Sequence, residues 1–275
     1  MAAWFEGDVV ANGIRIHYHR TGGDKPPLVL SHGATDAGLC WTRLARALAP
    51  DYDVIMPDAR GHGRSEAPPD GYDSDTRAAD LAGFIRALRL ERPAVGGHSM
   101  GAQTTFYLLA REPGLTRCAI LEDPVFRPRD SQPDEAARAA WAARTRRLLD
   151  ERATLGRDGL IARGRAEHPD WDETEFGPWA DAKLQLSPHF AGSRPAERLT
   201  WWDTLPALTE PILLITGDPD RGGIVTPPVA AEAARLQPRL RVAHLAGAGH
   251  NVRREQFDAY LAAVRAFLAE TYRDA

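Results

Sequence analysis

Residues 94–101 read Ala94-Val95-Gly96-Gly97-His98-Ser99-Met100-Gly101, and the fold follows from how this stretch must be built. Ala94-Val95-Gly96 is a short apolar run of the kind that forms a strand buried on both faces of a parallel sheet. Residues 101–110 continue as small and apolar residues with helical character. Between them lies Gly97-His98-Ser99-Met100-Gly101, a G-x-S-x-G pentapeptide at a strand-to-helix turn. A hydroxyl on such a tight turn needs small neighbours, because the backbone is strained and closely packed there. The turn presents Oγ at the carboxyl edge of the sheet, with the next backbone N–H beside it. Ser99 is therefore the candidate nucleophile and Met100 N–H a candidate oxyanion donor.

Outward from this turn the same alternation recurs. Upstream, Asp8-Val9-Val10 and Ile14 to Tyr18 flank Asn12-Gly13, a hairpin signal, since both turn positions tolerate positive φ. Leu28-Val29-Leu30 and Val54-Ile55-Met56 precede the turn; Cys118 to Leu121, Ile212 to Ile215 and Leu240 to His244 follow it. Helical periodicity runs over Leu39–Leu48 and Ala78–Leu88. It is clearest at the end, where Phe257, Tyr260, Leu261, Val264, Phe267 and Leu268 share one face. The pattern predicts an α/β chain with a mostly parallel eight-stranded sheet flanked by helices. From Phe126 to Thr200 no strand is expected. Helical patterns over Glu135–Leu149 and Phe176–Leu186, with Trp141, Trp171 and Trp179, predict a helical cap inserted between two sheet strands. The expected organisation is a core of residues 1–125 and 201–275 interrupted by a cap over 126–200.

A serine needs a base within hydrogen-bond reach. Of nine histidines, His250 has the fitting context: Gly247-Ala248-Gly249-His250-Asn251 is a flexible loop between the last strand and the last helix. His98 adjoins the nucleophile, but its side chain is expected to point away across the turn. His17 and His19 share one strand face and read as surface residues, and His244 reads as a structural histidine within its strand. The acid that orients the base is open among Asp218 and Asp220, beyond Ile215, and Glu122 and Asp123, beyond Leu121, all at carboxyl ends of strands.

His32-Gly33-Ala34, Asp58-Ala59-Arg60-Gly61-His62-Gly63-Arg64-Ser65, the Ser99 turn, Gly217 to Asp220 and Gly249-His250 together resemble the α/β-hydrolase family over nearly the whole chain. The resemblance implies Asp220 as the acid, with Glu122 or Asp123 next and Asp218 last. It also implies an oxyanion hole from the N–H groups of Ala34 and Met100, and treats the His62 segment as a structural turn without chemistry. Trp41, Phe126, Trp179, Trp201 and Trp202 are candidates to line an aromatic cleft below the cap. Capped relatives such as epoxide hydrolases and haloalkane dehalogenases use a carboxylate where this chain has Ser99, and residues 126–200 contain no tyrosine.

The expected function is hydrolysis of a small carboxylic ester or lactone through an acyl-enzyme. The alternatives are a carbon–carbon bond hydrolase of diketones with the same serine, or a slow-turnover receptor or acyltransferase. No cofactor or metal is expected, because no Cys or His pattern has zinc-ligand spacing. A net charge of -4 gives no reason to expect a nucleic-acid partner. The first residues lack a signal-peptide pattern and no apolar stretch approaches a membrane span, so a cytoplasmic location is expected. The expected partner is a small-molecule substrate.

Overall fold

The computed structural model describes residues 4–131, 135–191 and 198–273. Eight strands are present: β1 (Phe5–Ala11), β2 (Ile14–Arg20), β3 (Pro27–Ser31), β4 (Asp53–Pro57), β5 (Ala94–His98), β6 (Cys118–Glu122), β7 (Ile212–Thr216) and β8 (Leu240–His244). They form one sheet in the order β1-β2-β4-β3-β5-β6-β7-β8. β2 runs antiparallel to β1 and β4, and every other pairing is parallel. The central strands β4, β5, β6 and β7 are buried at every position, which is why they read as unbroken apolar runs rather than alternating ones.

The helices are α1 (Thr42–Leu48), α2 (Ser74–Ala87), α3 (Met100–Arg111), α4 (Glu135–Glu167), α5 (Glu173–Gln185), α6 (Pro188–Ala191), α7 (Trp201–Thr204), α8 (Pro227–Leu236), α9 (Val252–Glu255) and α10 (Phe257–Arg273). They cover both faces. On one side Phe84, Ile85, Phe106 and Leu108 pack against Val29, Val95 and Leu121. On the other, Trp41, Leu44, Tyr260 and Val264 pack against Leu30, Met56 and Ile120. Asp73 caps α2 by accepting the Thr76 N–H at 2.9 Å, and Asp172 caps α5 in the same way through Thr174.

Between β6 and β7 the described residues hold helices and no strand. α4 is broken at Gly156, whose φ of 58° takes it out of the helical region. The two arms of this insertion enclose a small core of their own around Leu160, Trp171, Phe176, Trp179 and Ala180. Among the described residues no helix is long and apolar enough to cross a membrane.

Candidate active site

Ser99 stands between β5 and α3 with φ 51° and ψ -110°, a conformation that L-residues adopt only where the surroundings enforce it. The enforcement is visible on both sides. A Cβ on Gly97 would strike the Gly101 backbone, and one on Gly101 would strike the carbonyls of Ser31 and His32. Only glycine lets the start of α3 sit this close to the end of β3. The hydroxyl is thereby lifted to the carboxyl edge of the sheet, and Met100 N–H opens the helix beside it. Ser99 N–H itself donates to the Glu122 carbonyl at 2.9 Å, which fastens the turn to the neighbouring strand.

That neighbouring strand places a carboxylate beside the turn. β5 and β6 pair with His98 opposite Glu122, so Ser99 and Asp123 are the next residues on adjacent strands. Asp123 also has a positive φ, 43°, and is fully buried. Its carboxylate lies 2.5 Å from His250 Nδ1 and accepts the backbone N–H groups of Ile224 and Val225 at 2.9–3.0 Å. A carboxylate only accepts, so Nδ1 carries the proton and Nε2 is left as the basic nitrogen. His250 itself is 30% exposed at its side chain, open enough to meet a substrate.

The expectation for Asp220 is corrected by this geometry. Asp220 is exposed in the short turn Pro219–Arg221, and none of the His250 contacts among the described residues involves it. The loop after β7 does reach Asp123, but with the amides of Ile224 and Val225 rather than with a side chain. Asp218 is engaged elsewhere, accepting Gly247 N–H at 2.7 Å and pairing with His244 at 3.0 Å. Glu122 faces the opposite way from Asp123, as successive strand residues do. It accepts Arg253 N–H at 3.0 Å, and burial pushes its carboxyl above the usual range against the pull of Arg253.

The Gly33–Asp36 turn, closed by Asp36 N–H on the Gly33 carbonyl at 3.1 Å, follows β3 and carries Ala34. Ala59 N–H donates to His32 Nε2 at 2.9 Å, so His32 Nδ1 holds the proton and donates to the Gly33 carbonyl at 2.8 Å. His62 Nε2 lies 2.8 Å from the Ala34 carbonyl and its Nδ1 2.8 Å from that of Arg60. Burial drives the His62 pKa down to about 3, so the neutral ring donates to one carbonyl at a time. His62 thus holds the Gly33–Asp36 turn, a contact the sequence reading did not give it. His98 likewise does more than point away. Its buried ring donates from Nε2 to the His250 carbonyl at 2.9 Å, and burial, then Arg253 and His250, hold its pKa well below the ordinary value.

The aromatic assignments need correcting too. Trp41 is 1% exposed in the core under the Arg253 guanidinium, 4.1 Å from its ring centre. Phe126 and Trp201 stack on each other at 5.6 Å inside the main core, with Trp202 packed against the same cluster. Trp179 belongs to the insertion's own core. The side chains that meet Met100 and Ala34 are instead Tyr72, Leu186 and Phe190, joined by Trp141 and Leu149. Aromatic identity alone could not separate these sets; nearness to the oxyanion residues could.

On the β1–β2 hairpin, Glu6, His17 and His19 place three ligand-type atoms within 4.8 Å of one another. Arg64 already donates to Glu6 at 2.8 Å, which makes the cluster unattractive for a divalent cation. His17, expected at the surface, is 1% exposed.

A family model described as the alpha/beta hydrolase fold matches residues 26–253. N-formylmaleamate deformylase of Pseudomonas putida is 33% identical over 276 residues, covering 95% of this chain and 96% of that protein. 2-(Acetamidomethylene)succinate hydrolase of Mesorhizobium japonicum is 28% identical, covering 90% of each chain. The crystal structure of the N-formylmaleamic acid deformylase from Pseudomonas putida S16 superposes with a TM-score of 0.78 at 27% identity, over 94% of this chain and 100% of that one.

Proposed function

Because the chain belongs to the alpha/beta hydrolase fold family, we propose that it is a serine hydrolase that removes a small acyl group from nitrogen, with Ser99 as nucleophile, His250 as base and Asp123 as orienting acid. The observation that carries this reading is the 2.5 Å contact of His250 Nδ1 with Asp123, on the strand next to that of Ser99. It fixes the imidazole tautomer with Nε2 free for the serine proton.

Ser99 Oγ attacks the acyl carbon while His250 Nε2 takes its proton. The tetrahedral oxyanion is met by the N–H groups of Ala34 and Met100; among the described residues no hydrogen bond of the protein takes either donor. His250 then protonates the leaving nitrogen, leaving an acyl-Ser99. Water attacks this ester, gives its proton to His250 and releases the acid, and the proton returns to Ser99. The helical insertion acts as the cap. Leu186 and Phe190 pack against Met100, which is 8% exposed, and exclude water beside the developing charge.

Cleavage at nitrogen is favoured over the ester or lactone expected from sequence by two relatives that cover nine-tenths or more of the chain. One is named as a deformylase and the other as a hydrolase of an acetamido compound. Esters remain the second reading, since the same groups serve a better leaving group.

The test is a panel of N-formyl and N-acetyl enamides, some bearing a neighbouring carboxylate, run beside short p-nitrophenyl esters and lactones. The expected result is a kcat/KM at least about tenfold higher on an N-acyl member, a margin of about 1.4 kcal/mol in transition-state binding. Turnover confined to esters and lactones would return the assignment to the second reading.

A further inference from the structure

One of the chain's two lysines is buried. Lys183, on α5 of the insertion, is 3% exposed and reaches out of the insertion into the core. Its Nζ donates to the Thr35 carbonyl at 2.7 Å, to Thr35 Oγ1 at 2.9 Å and to Asp36 Oδ1 at 3.2 Å. All three acceptors lie in the turn that carries Ala34 N–H. We propose that Lys183 is a positioning residue of the oxyanion hole, by which the helical insertion holds the Gly33–Asp36 turn in its working shape.

The carbonyls of Gly33, Ala34 and Thr35 are each approached by a side chain, namely His32, His62 and Lys183. A trans peptide points its N–H opposite to its carbonyl, so the His32 grip on the Gly33 carbonyl aims Ala34 N–H. The Lys183 grip on the Thr35 carbonyl holds the peptide whose Asp36 N–H closes the turn back onto that Gly33 carbonyl at 3.1 Å. The two histidines come from the sheet side and are uncharged, and His62 divides its single proton between two carbonyls. Lys183 brings a full charge and three donors, and it alone of the three belongs to the insertion.

It is fixed in turn by a balanced set of buried charges. Asp36 also meets Arg253 at 3.3 Å and Arg254 at 3.2 Å. Arg253 pairs with Glu122 at 3.3 Å, and Arg254 pairs with Glu175 of α5 at 3.1 Å. The set holds three acids and three bases. Its members lie two residues beyond Ala34, one before Asp123, three and four beyond His250, and on α5. The insertion is thus braced against both the oxyanion turn and the histidine loop. A loose lid over a finished site would need no such bracing.

This inference rests on the acyl-transfer reading above, and the experiment separates the two. Wild type and Lys183→Met are compared on p-nitrophenyl acetate and for inhibition by phenylboronic acid. Ser99 Oγ adds to the boron, its proton passes to His250 and nothing leaves, so a tetrahedral anion forms where the oxyanion would. The expected result is a kcat lower by about 10- to 100-fold with KM within about threefold, and boronate affinity weakened by a similar factor. Lys183→Arg, which keeps the charge and donors, should recover part of both losses. Thr35→Val, which removes one acceptor and leaves the buried charges intact, should show the same paired losses at a few-fold and serves if Lys183→Met does not fold. Unchanged kcat and boronate affinity in Lys183→Met, or in Thr35→Val if that alone folds, would overturn the inference while leaving the serine mechanism standing. Failure of a fluorophosphonate to label Ser99 in wild type would overturn the parent reading, and this one with it.

Discussion

The two loops that flank Ser99 are held in opposite ways. In the turn Gly33–Asp36, side-chain donors grip carbonyls: His32 on Gly33, His62 on Ala34 and Lys183 on Thr35. In the loop before His250, carboxylates grip amides: Asp218 takes Gly247 N–H and Glu255 takes Gly249 N–H. The difference follows from what each loop presents. An oxyanion turn must keep its donor, here Ala34 N–H, uncommitted, so it is anchored mainly by its oxygens, with Asp36 N–H spent on closing the turn. The histidine loop has no such need, so its amides are consumed in fixing the imidazole. The final contact there, Asp123 on His250 Nδ1, extends the same carboxylate pattern onto the side chain.

The largest expected effect breaks the histidine side. Asp123→Asn replaces one carboxylate oxygen by an NH2 donor. With the remaining oxygen claimed by the Ile224 and Val225 N–H groups, the NH2 faces His250 Nδ1 and favours the wrong tautomer, so kcat should fall by about 10³- to 10⁴-fold with the fold retained. Activity within tenfold of wild type would show that another group orients the base. The buried histidines around Ser99 offer a pH test. His32, His62 and His98 all have pKa values lowered by burial, so the folded protein keeps them neutral while the unfolded chain protonates them near pH 6.5. The unfolded state then binds more protons, so stability is fully present above that pH and declines below it. Three such groups amount to at most about 4 kcal/mol between pH 7.5 and 5.5. Urea titrations at the two pH values check this, and a flat result would mean that the rings charge within the fold.

On the Gly33–Asp36 turn, His62→Phe removes the grip on the Ala34 carbonyl while keeping an aromatic ring beside Phe190, now 4.5 Å away. We expect kcat to fall by about 3- to 30-fold with little change in KM, because freeing the peptide that follows Ala34 loosens the turn and lets Ala34 N–H misaim slightly. An unchanged kcat would mean that His32 and Lys183 suffice. The smallest effect belongs to Asp220→Asn, expected within about twofold of wild type because this exposed carboxylate has no contact with His250 among the described residues. A large loss there would reverse the comparison of the β6 and β7 strand ends.

The sheet was legible because its central strands are short apolar runs between glycines and prolines, and the Ser99 turn because glycine is sterically required at 97 and 101. Ser99, His250 and Met100 could be put forward as candidates from such local constraints, and Ala34 only from the family resemblance. The acid could not be singled out. Asp123 and Asp220 both follow strands, and the choice depends on the β5–β6 register and on a positive φ at Asp123, neither of which is written in local composition. Trp41, Phe126, Trp179 and Trp201 were misassigned for a related reason: burial against a core and burial against a substrate select the same residue types. The role of Lys183 was also hidden, since its partners lie 147 and 148 positions away along the chain.

The most direct measurement is the rate and site of fluorophosphonate labelling, read by intact mass and peptide mapping. The account predicts a single adduct on Ser99 in the native protein, absent in Ser99→Ala and at least about a hundredfold slower in His250→Ala. No adduct on the native protein, or undiminished labelling of Ser99 without the imidazole, would contradict it.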